Sequence, residues 1–381
     1  MISYKYTSFV FFVSIFLSSS GEVGFNRVGF IINTPDNSGR FNSIAIDDDD
    51  RIVVAGYGGG TNGLIARFNT DGTLDTNGFN APDGFVTNVP NTFSYNSVAI
   101  DSQGRIVVAG TTDDGNGFVA RFNTDGTLDT NGFNAPDGFV TNVPNTSSYN
   151  SVAIDSQGRI VVAGTTDDGN GFVARFNTGG TLDTNGFNAP NGFVTNVPGI
   201  SRRYESLAIG AGDKIVVAGR TDNINGDFHG LIARFNADGT LDANEFNFPD
   251  GFVTDIPDIS FTYNSVVIDH QGKILVAGRT NGFSNGLIAR FNNNGALDTE
   301  GFNSPNGFIT DVPDTSSSYY SIAIDSQRRI LVSGQTDDDF SLLLRLLSSG
   351  SLNVEINLND FNLKSFRETA QANKIPILLL G

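Results

Sequence analysis

Apolar and polar residues alternate along this chain in short runs bounded by Gly, Asn, Asp and Pro, and the runs return in the same order at a nearly fixed interval. Residues 97–144 show the unit. Ser97-Val-Ala-Ile-Asp101 is short and apolar, Ser102-Gln-Gly104 reads as a turn, and Arg105-Ile-Val-Val-Ala-Gly110 is a β-branched run closed by Gly. Together they predict a hairpin whose loop needs positive φ at its third residue, where Gly104 costs nothing. Other copies place Asp50, Asp213 or Arg328 there, and Arg328 should carry about 1 kcal/mol of strain. Next, Gly117-Phe-Val-Ala-Arg-Phe-Asn123 alternates Phe118, Ala120 and Phe122 against Val119 and Arg121, and Thr124-Asp125-Gly126 turns it into Thr127-Leu-Asp129. Pairing Asn123 with Thr127 sets Arg121 opposite Asp129, which predicts a cross-strand ion pair of roughly 0.2–1 kcal/mol. The same spacing joins Arg67 to Asp75, Arg175 to Asp183, Arg234 to Asp242 and Arg290 to Asp298, while the last copy sets Asn353 opposite Arg345. A carboxylate waiting at each paired position favours this structural reading over a ligand-binding ring of arginines. A turn containing Pro136 and a strand at Phe139-Val-Thr-Asn-Val143 complete the unit.

The phrase S-[VIL]-[AV]-I recurs at Ser43, Ser97, Ser151, Ser206, Ser265 and Ser321, in steps of 54, 54, 55, 59 and 56 residues. Residues 97–124 are identical to 151–178, so these copies diverged recently. Each unit predicts four or five short strands and no helical periodicity, a sheet that cannot bury both faces alone. Six such sheets packed face to face around an axis give a six-bladed, all-β propeller; an open stacked array would want polar capping units at its ends. The sixth copy lacks the last strand phrase, and Gly29-Phe-Ile-Ile-Asn-Thr-Pro35 stands before the first. This arrangement predicts a ring closed by the N-terminal segment completing the last blade. Phe79, Phe133, Phe187, Phe246 and Phe302 hold one position of the repeat and should pack between blades.

Composition adds function classes to exclude. The net charge of -18 and pI near 4.3 argue against nucleic acid or an anionic membrane as partner. With no Cys, disulfides and thiolate chemistry are absent. Lys5 precedes a mostly apolar run from Phe9 to Leu17 and then small residues, so 1–21 is expected to be a signal peptide and the protein secreted, periplasmic or at the cell surface. Residues 22–354 are the propeller and 355–381 a tail outside the repeat, with a short helix expected at 363–374 and an apolar end too short to span a membrane.

Gln103-Gly-Arg-Ile-Val-Val-Ala-Gly110, Phe118-Val-Ala-Arg-Phe-Asn-Thr-Asp-Gly-Thr-Leu-Asp129 and Gly132-Phe133 closely resemble the bacterial delta-60 repeat, over about residues 24–353. The resemblance implies a propeller-like fold and an exported bacterial protein, and it brings no catalytic residues. The first hairpin also resembles that of NHL-type propellers, which include protein binders, hydrolases and lyases.

Candidate chemistry is sparse. His229 lies in an insert and His270 in a turn, both expected to face solvent, with no metal-site spacing around them. Asp47-Asp-Asp-Asp50 and residues 112–115 suggest calcium, yet 67–78 breaks the helix-loop-helix calcium grammar at both ends, leaving turn-forming Asp as the favoured reading. Gly282-Phe-Ser284-Asn-Gly286 matches G-x-S-x-G without the helix that a nucleophile elbow needs. No catalytic, cofactor-binding or metal residues are assigned. Divergence between copies gathers in 57–62, 220–229 and 279–285, which link the second and third strands and should share one face of the ring. The reading is a non-enzymatic scaffold recognising a protein or glycan there. Its alternatives are a calcium-dependent hydrolase or lyase using Asp101, Asp155 and Asp269 in the central channel, and a purely structural envelope protein.

Overall fold

The computed structural model describes residues 40–352, apart from short stretches at 59–61, 88, 90–91, 142, 144, 196–200, 223–227, 255–259, 281–284, 311–316 and 337–340. Six antiparallel sheets follow one another in sequence as the blades of a propeller. Blade 1 comprises β1 (Arg40–Ile46), β2 (Ile52–Tyr57), β3 (Gly63–Phe68) and β4 (Phe85–Val86). Blade 2 comprises β5 (Thr92–Ile100), β6 (Ile106–Thr112), β7 (Gly117–Phe122) and β8 (Phe139–Thr141). Blade 3 comprises β9 (Thr146–Ile154), β10 (Ile160–Thr166), β11 (Gly171–Phe176) and β12 (Phe193–Thr195). Blade 4 comprises β13 (Ser201–Ile209), β14 (Ile215–Asp222), β15 (Phe228–Phe235) and β16 (Phe252–Thr254). Blade 5 comprises β17 (Ser260–Ile268), β18 (Ile274–Thr280), β19 (Gly286–Phe291) and β20 (Phe308–Thr310). Blade 6 shows β21 (Ser317–Ile324), β22 (Ile330–Thr336) and β23 (Ser341–Leu346) among the described residues. Apart from strands, these residues hold one 3-10 turn, Ala211–Asp213, and no helix long and apolar enough to cross a membrane.

The first hairpin forms as its sequence requires. Gly104 has φ 74°, and Asp50, Asp213 and Arg328 adopt φ 58°, 56° and 65° at the same place. The second hairpin is shorter than expected. Its register holds, with Asn123 N–H donating to Thr127 O at 2.8 Å and Asp129 N–H to Arg121 O at 2.9 Å. The return is only a bridge, Phe122 to Leu128, not a strand. Beyond it the Asp129 carboxylate accepts from Gly132 N–H at 2.8 Å and draws the chain into a turn, so the edge of β7 pairs with β8 instead.

The ion pair is buried rather than exposed, which changes its energetics. Arg121 is 2% exposed and Asp129 6%. Arg121 Nε donates to Asp129 at 2.8 Å, Nη2 to Gly132 O at 2.7 Å, and Nη1 crosses to Thr178 O in the next blade at 2.5 Å. Its guanidinium lies 5.0 Å from the centroid of the fully buried Phe133 ring. The same clasp repeats at Arg67, Arg175, Arg234 and Arg290. The companion position in the last copy, Asn353, lies outside the described residues.

Each seam from blade 1 through to blade 6 is a buried apolar layer. Between blades 1 and 2, Val53, Ala55, Ile65 and Phe79 meet Tyr95, Ile106, Phe118 and Phe122, all essentially inaccessible. Burying each such side chain contributes about 1.5–3 kcal/mol, and the layer recurs from blade to blade. In the first and last blades the exposure differs: Leu343 of blade 6 is 47% and Ile44 of blade 1 36% exposed, while the matching Ile65 and Val98 are 0% and 7%. The segment expected to finish blade 6, residues 29–35, lies outside the described residues, as do the expected signal peptide and the tail 355–381.

Candidate functional site

A second inter-blade latch lies on the first strands, and its interruption in blade 4 marks the site. Each of these strands bulges between an aromatic residue, a buried Tyr in all but β1, where it is the half-buried Phe41, and the Ser of the repeat phrase, as between Tyr95 and Ser97. The bulged residue reaches the next blade: Asn42 Nδ2 donates to Tyr95 O at 2.9 Å, Asn96 to Tyr149 O at 3.0 Å, Asn150 to Tyr204 O at 2.9 Å and Asn264 to Tyr319 O at 2.7 Å. The neighbouring Ser also reaches across, Ser97 Oγ accepting from Val152 N–H at 3.1 Å. In blade 4 the bulged residue is Glu205. An ionised carboxylate has no proton to give a carbonyl, and Glu205 instead forms an ion pair with the Arg203 guanidinium, 2.7 Å from Nε.

The rung beside the bulge departs in blades 4 and 5. Ser94 faces Thr111 in blade 2 and Ser148 faces Thr165 in blade 3, whereas Arg203 faces Arg220 in blade 4 and Thr262 faces Arg279 in blade 5. Like charges directly opposite on a sheet are unfavourable by some tenths of a kcal/mol to about 1 kcal/mol. Arg203 and Glu205 keep side-chain exposures of 40% and 21%. Burial pushes the Glu205 carboxyl above its ordinary pKa, against the pull of Arg203, Arg220 and Arg279, so all three guanidiniums act on one carboxylate. Arg220 lies over the Phe228 ring at 4.4 Å. His229 sits half-buried in β15, not in an insert, because the pairs Thr221–His229 and Asp222–Phe228 extend the ladder past the expected loop.

The divergent segments 220–229 and 279–285 flank this rung, although 223–227 and 281–284, with most of the G-x-S-x-G match, lie outside the described residues. Asp101, Asp155 and Asp269 fall in the turns at the other end of the first strands. Each serves its own turn. Asp101 accepts from Gln103 N–H and Arg105 N–H at 2.9 Å and from Arg105 Nε at 2.7 Å; Asp155 does the same with Arg159, and Asp269 accepts from Gln271 and Lys273 N–H. Asp47 likewise holds Arg51, and His270 is exposed in its turn. Among the described residues no three His, Cys, Asp or Glu come together as a metal site. Reasoning from sequence missed Arg203 and Glu205. The signal was available in the residue preceding each repeated Ser: Asn42, Asn96, Asn150, Glu205, Asn264, Tyr320.

Five segments, 48–77, 102–131, 156–185, 213–244 and 272–300, match the family model described as a domain of unknown function (DUF5122) beta-propeller. The chain is a β-propeller repeat protein. No curated protein matches its sequence. Among solved structures, the propeller is similar to a glucose dehydrogenase at 10% identity, covering 80% of this chain and 95% of that one with a TM-score of 0.47. It is similar to an ulvan lyase of polysaccharide lyase family PL25 at 12% identity, covering 84% and 82%, with a TM-score of 0.45. PorZ, a surface component of the type-IX secretion system of Porphyromonas gingivalis, matches at 12% identity over 86% of this chain and 43% of its own, again with a TM-score of 0.45. Likenesses this distant carry no statement about chemistry.

Proposed function

We propose that this propeller is an exported, non-enzymatic scaffold that recognises a protein or glycan ligand on the loop face of blades 4 and 5. One observation carries the reading: at the rung beside the bulge, neutral in blades 2 and 3, blades 4 and 5 place Arg203, Arg220 and Arg279, which stay half-buried beside the divergent loops. Binding residues concentrate on loops and strand ends held by a rigid frame, and this rung adjoins the segments that diverge most. The signal-peptide grammar of residues 1–21 and the likeness of the repeat phrase to delta-60 repeats of exported bacterial proteins support export.

The triple variant Arg203→Ser, Arg220→Thr, Arg279→Thr gives the rung the residue types found in blade 3. These side chains are half-buried and their loss leaves the Glu205 carboxyl without its counter-charge, so the variant is expected to melt below the parent, and circular dichroism should first show that it is folded at the assay temperature. On a glycan array and in pull-downs from envelope fractions, it is expected to lose the ligands that the parent binds. Full retention of those ligands by the variant would remove the basis of the proposal.

A further inference from the structure

The turn that carries each clasp sets Asn before Gly in blades 1, 2 and 3, at Asn77-Gly78, Asn131-Gly132 and Asn185-Gly186. The clasp itself asks for this glycine. A Cβ at residue 132 would lie 2.9 Å from both Asp129 carboxylate oxygens and 3.0 Å from Arg121 Nη2, and residues 78 and 186 are similarly crowded. Glycine in that place brings a chemical weakness, because without a side chain its nitrogen can approach the amide of the preceding Asn. Having lost its proton to hydroxide, that nitrogen attacks Asn Cγ. The new N–Cγ bond displaces ammonia, which leaves with a proton from water, and a second water opens the cyclic imide to Asp or isoaspartate. Asn77, Asn131 and Asn185 are all exposed to that water.

The same clasp holds the nitrogen back. Gly78 N–H donates to Asp75 Oδ1 at 2.9 Å, Gly132 N–H to Asp129 Oδ1 at 2.8 Å and Gly186 N–H to Asp183 Oδ1 at 2.9 Å. Each glycine is also gripped by its carbonyl, which accepts from Arg67, Arg121 or Arg175 Nη2 at 2.7 Å. We infer that Asn77, Asn131 and Asn185 are latent modification sites, which the clasp keeps from turning into isoaspartate. Attack requires the Gly peptide to swing its nitrogen towards Cγ, and that swing breaks the bond to the carboxylate. A carboxylate acceptor also opposes loss of the proton, since it would then face an amide anion. Protection and structure depend on each other. Isoaspartate adds a carbon to the backbone between Asp129 and Gly132, so a clasp that opens long enough to react cannot close in its old register. Blade 4 lacks this pair, with Glu245 after Asn244, and blade 5 has Glu300 before Gly301.

Peptide mapping of the full chain by mass spectrometry, after incubation in mildly alkaline buffer, tests this. The folded parent is expected to keep Asn77, Asn131 and Asn185, and the same chain unfolded in urea to lose all three. The double variant Arg175→Met, Asp183→Leu removes one clasp together with both its charges. In it Asn185 should deamidate about 10-fold faster or more than in the parent, the factor that a hydrogen bond to a charged group is worth. Asn77 and Asn131 in the same molecules should stay intact, which shows that the other blades are folded. If Asn185 changes no faster than Asn77 in that variant, or if any of the three converts in the folded parent at the unfolded rate, the inference is overturned. Should the double variant not fold, Glu300→Asn leaves every clasp intact and creates a fourth such pair, in which Gly301 N–H donates to Asp298 Oδ1 at 3.1 Å. Its new asparagine is expected to persist as long as Asn131, and conversion at the unfolded rate overturns the inference.

Discussion

Replacing Arg175 with Met is expected to lower the unfolding free energy by about 3–5 kcal/mol, because it strands a buried carboxylate. Arg175 is 2% exposed, and it joins three separate pieces of chain. Nε donates to Asp183 at 2.9 Å, Nη2 to Gly186 O at 2.7 Å, and Nη1 to Ala237 O in blade 4. Met restores the hydrophobic stem and none of these bonds. Thermal unfolding followed by circular dichroism should show a fall on the order of 5–10 °C. Burial by itself would push the Asp183 carboxyl up, but Arg175 and the Gly186 N–H hold it below its ordinary 3.8. A depressed carboxyl contributes stability above its unfolded pKa and loses it as the pH falls through the folded pKa. In the parent this contribution should therefore persist at neutral pH and fade below about pH 4. Once Met stands at 175, burial opposes only the Gly186 bond and the weaker pull of Arg159, so acid relieves the poorly paired charge and the gap between parent and variant should narrow as the pH drops. Adding Asp183→Leu to Arg175→Met should recover part of the loss at pH 7; an equal or larger loss in the double variant would show that the clasp is not the cause.

Gly110→Ala should be at least as damaging. Gly110 pairs with Tyr95 next to the bulge, and an added Cβ would sit 2.0 Å from the Ser94 carbonyl oxygen. That atom is backbone and cannot swing aside, so the two strands must part at the rung that carries the buried Tyr95. A cost of about 3 kcal/mol or more is expected, at or beyond the upper end of ordinary overpacking. Gly179→Ala is the control, since nothing lies within 4 Å of its added Cβ and its φ is not positive. Urea unfolding of the two variants should separate them clearly. Similar midpoints for both would mean that the strands tolerate a side chain at this rung.

The propeller itself was legible because its repeat is dense in local signals. Positive-φ turns, a strand period of two and a paired charge eight residues on from each Arg all recur, and all three appear in the structure where the spacing put them. The energetic weight of the Arg–Asp pair was not legible. Opposite register implies contact, but only the next blade shows that the pair is covered and that Nη1 crosses the seam. The second latch escaped for a related reason. Nothing in the local pattern gives Asn96 and Ser97 a role until Tyr149 and Val152 of the following blade supply their partners. The candidate site was half visible: divergence pointed to 220–229 and 279–285, while Arg203 and Glu205 stand inside a strand whose pattern otherwise looked ordinary.

Where they are present, the clasp and the Asn–Ser latch run from one unit to the following one and bond to its backbone, so neither needs a side chain peculiar to that neighbour. Gain or loss of a whole repeat would therefore present each new neighbour with the joint it already fits. Copy number can drift by unequal recombination without redesign of any contact, as the identity of 97–124 with 151–178 suggests for this lineage. Blade 4 is where such drift carries a penalty, since its Glu205 and paired arginines cannot be copied out of a neighbour.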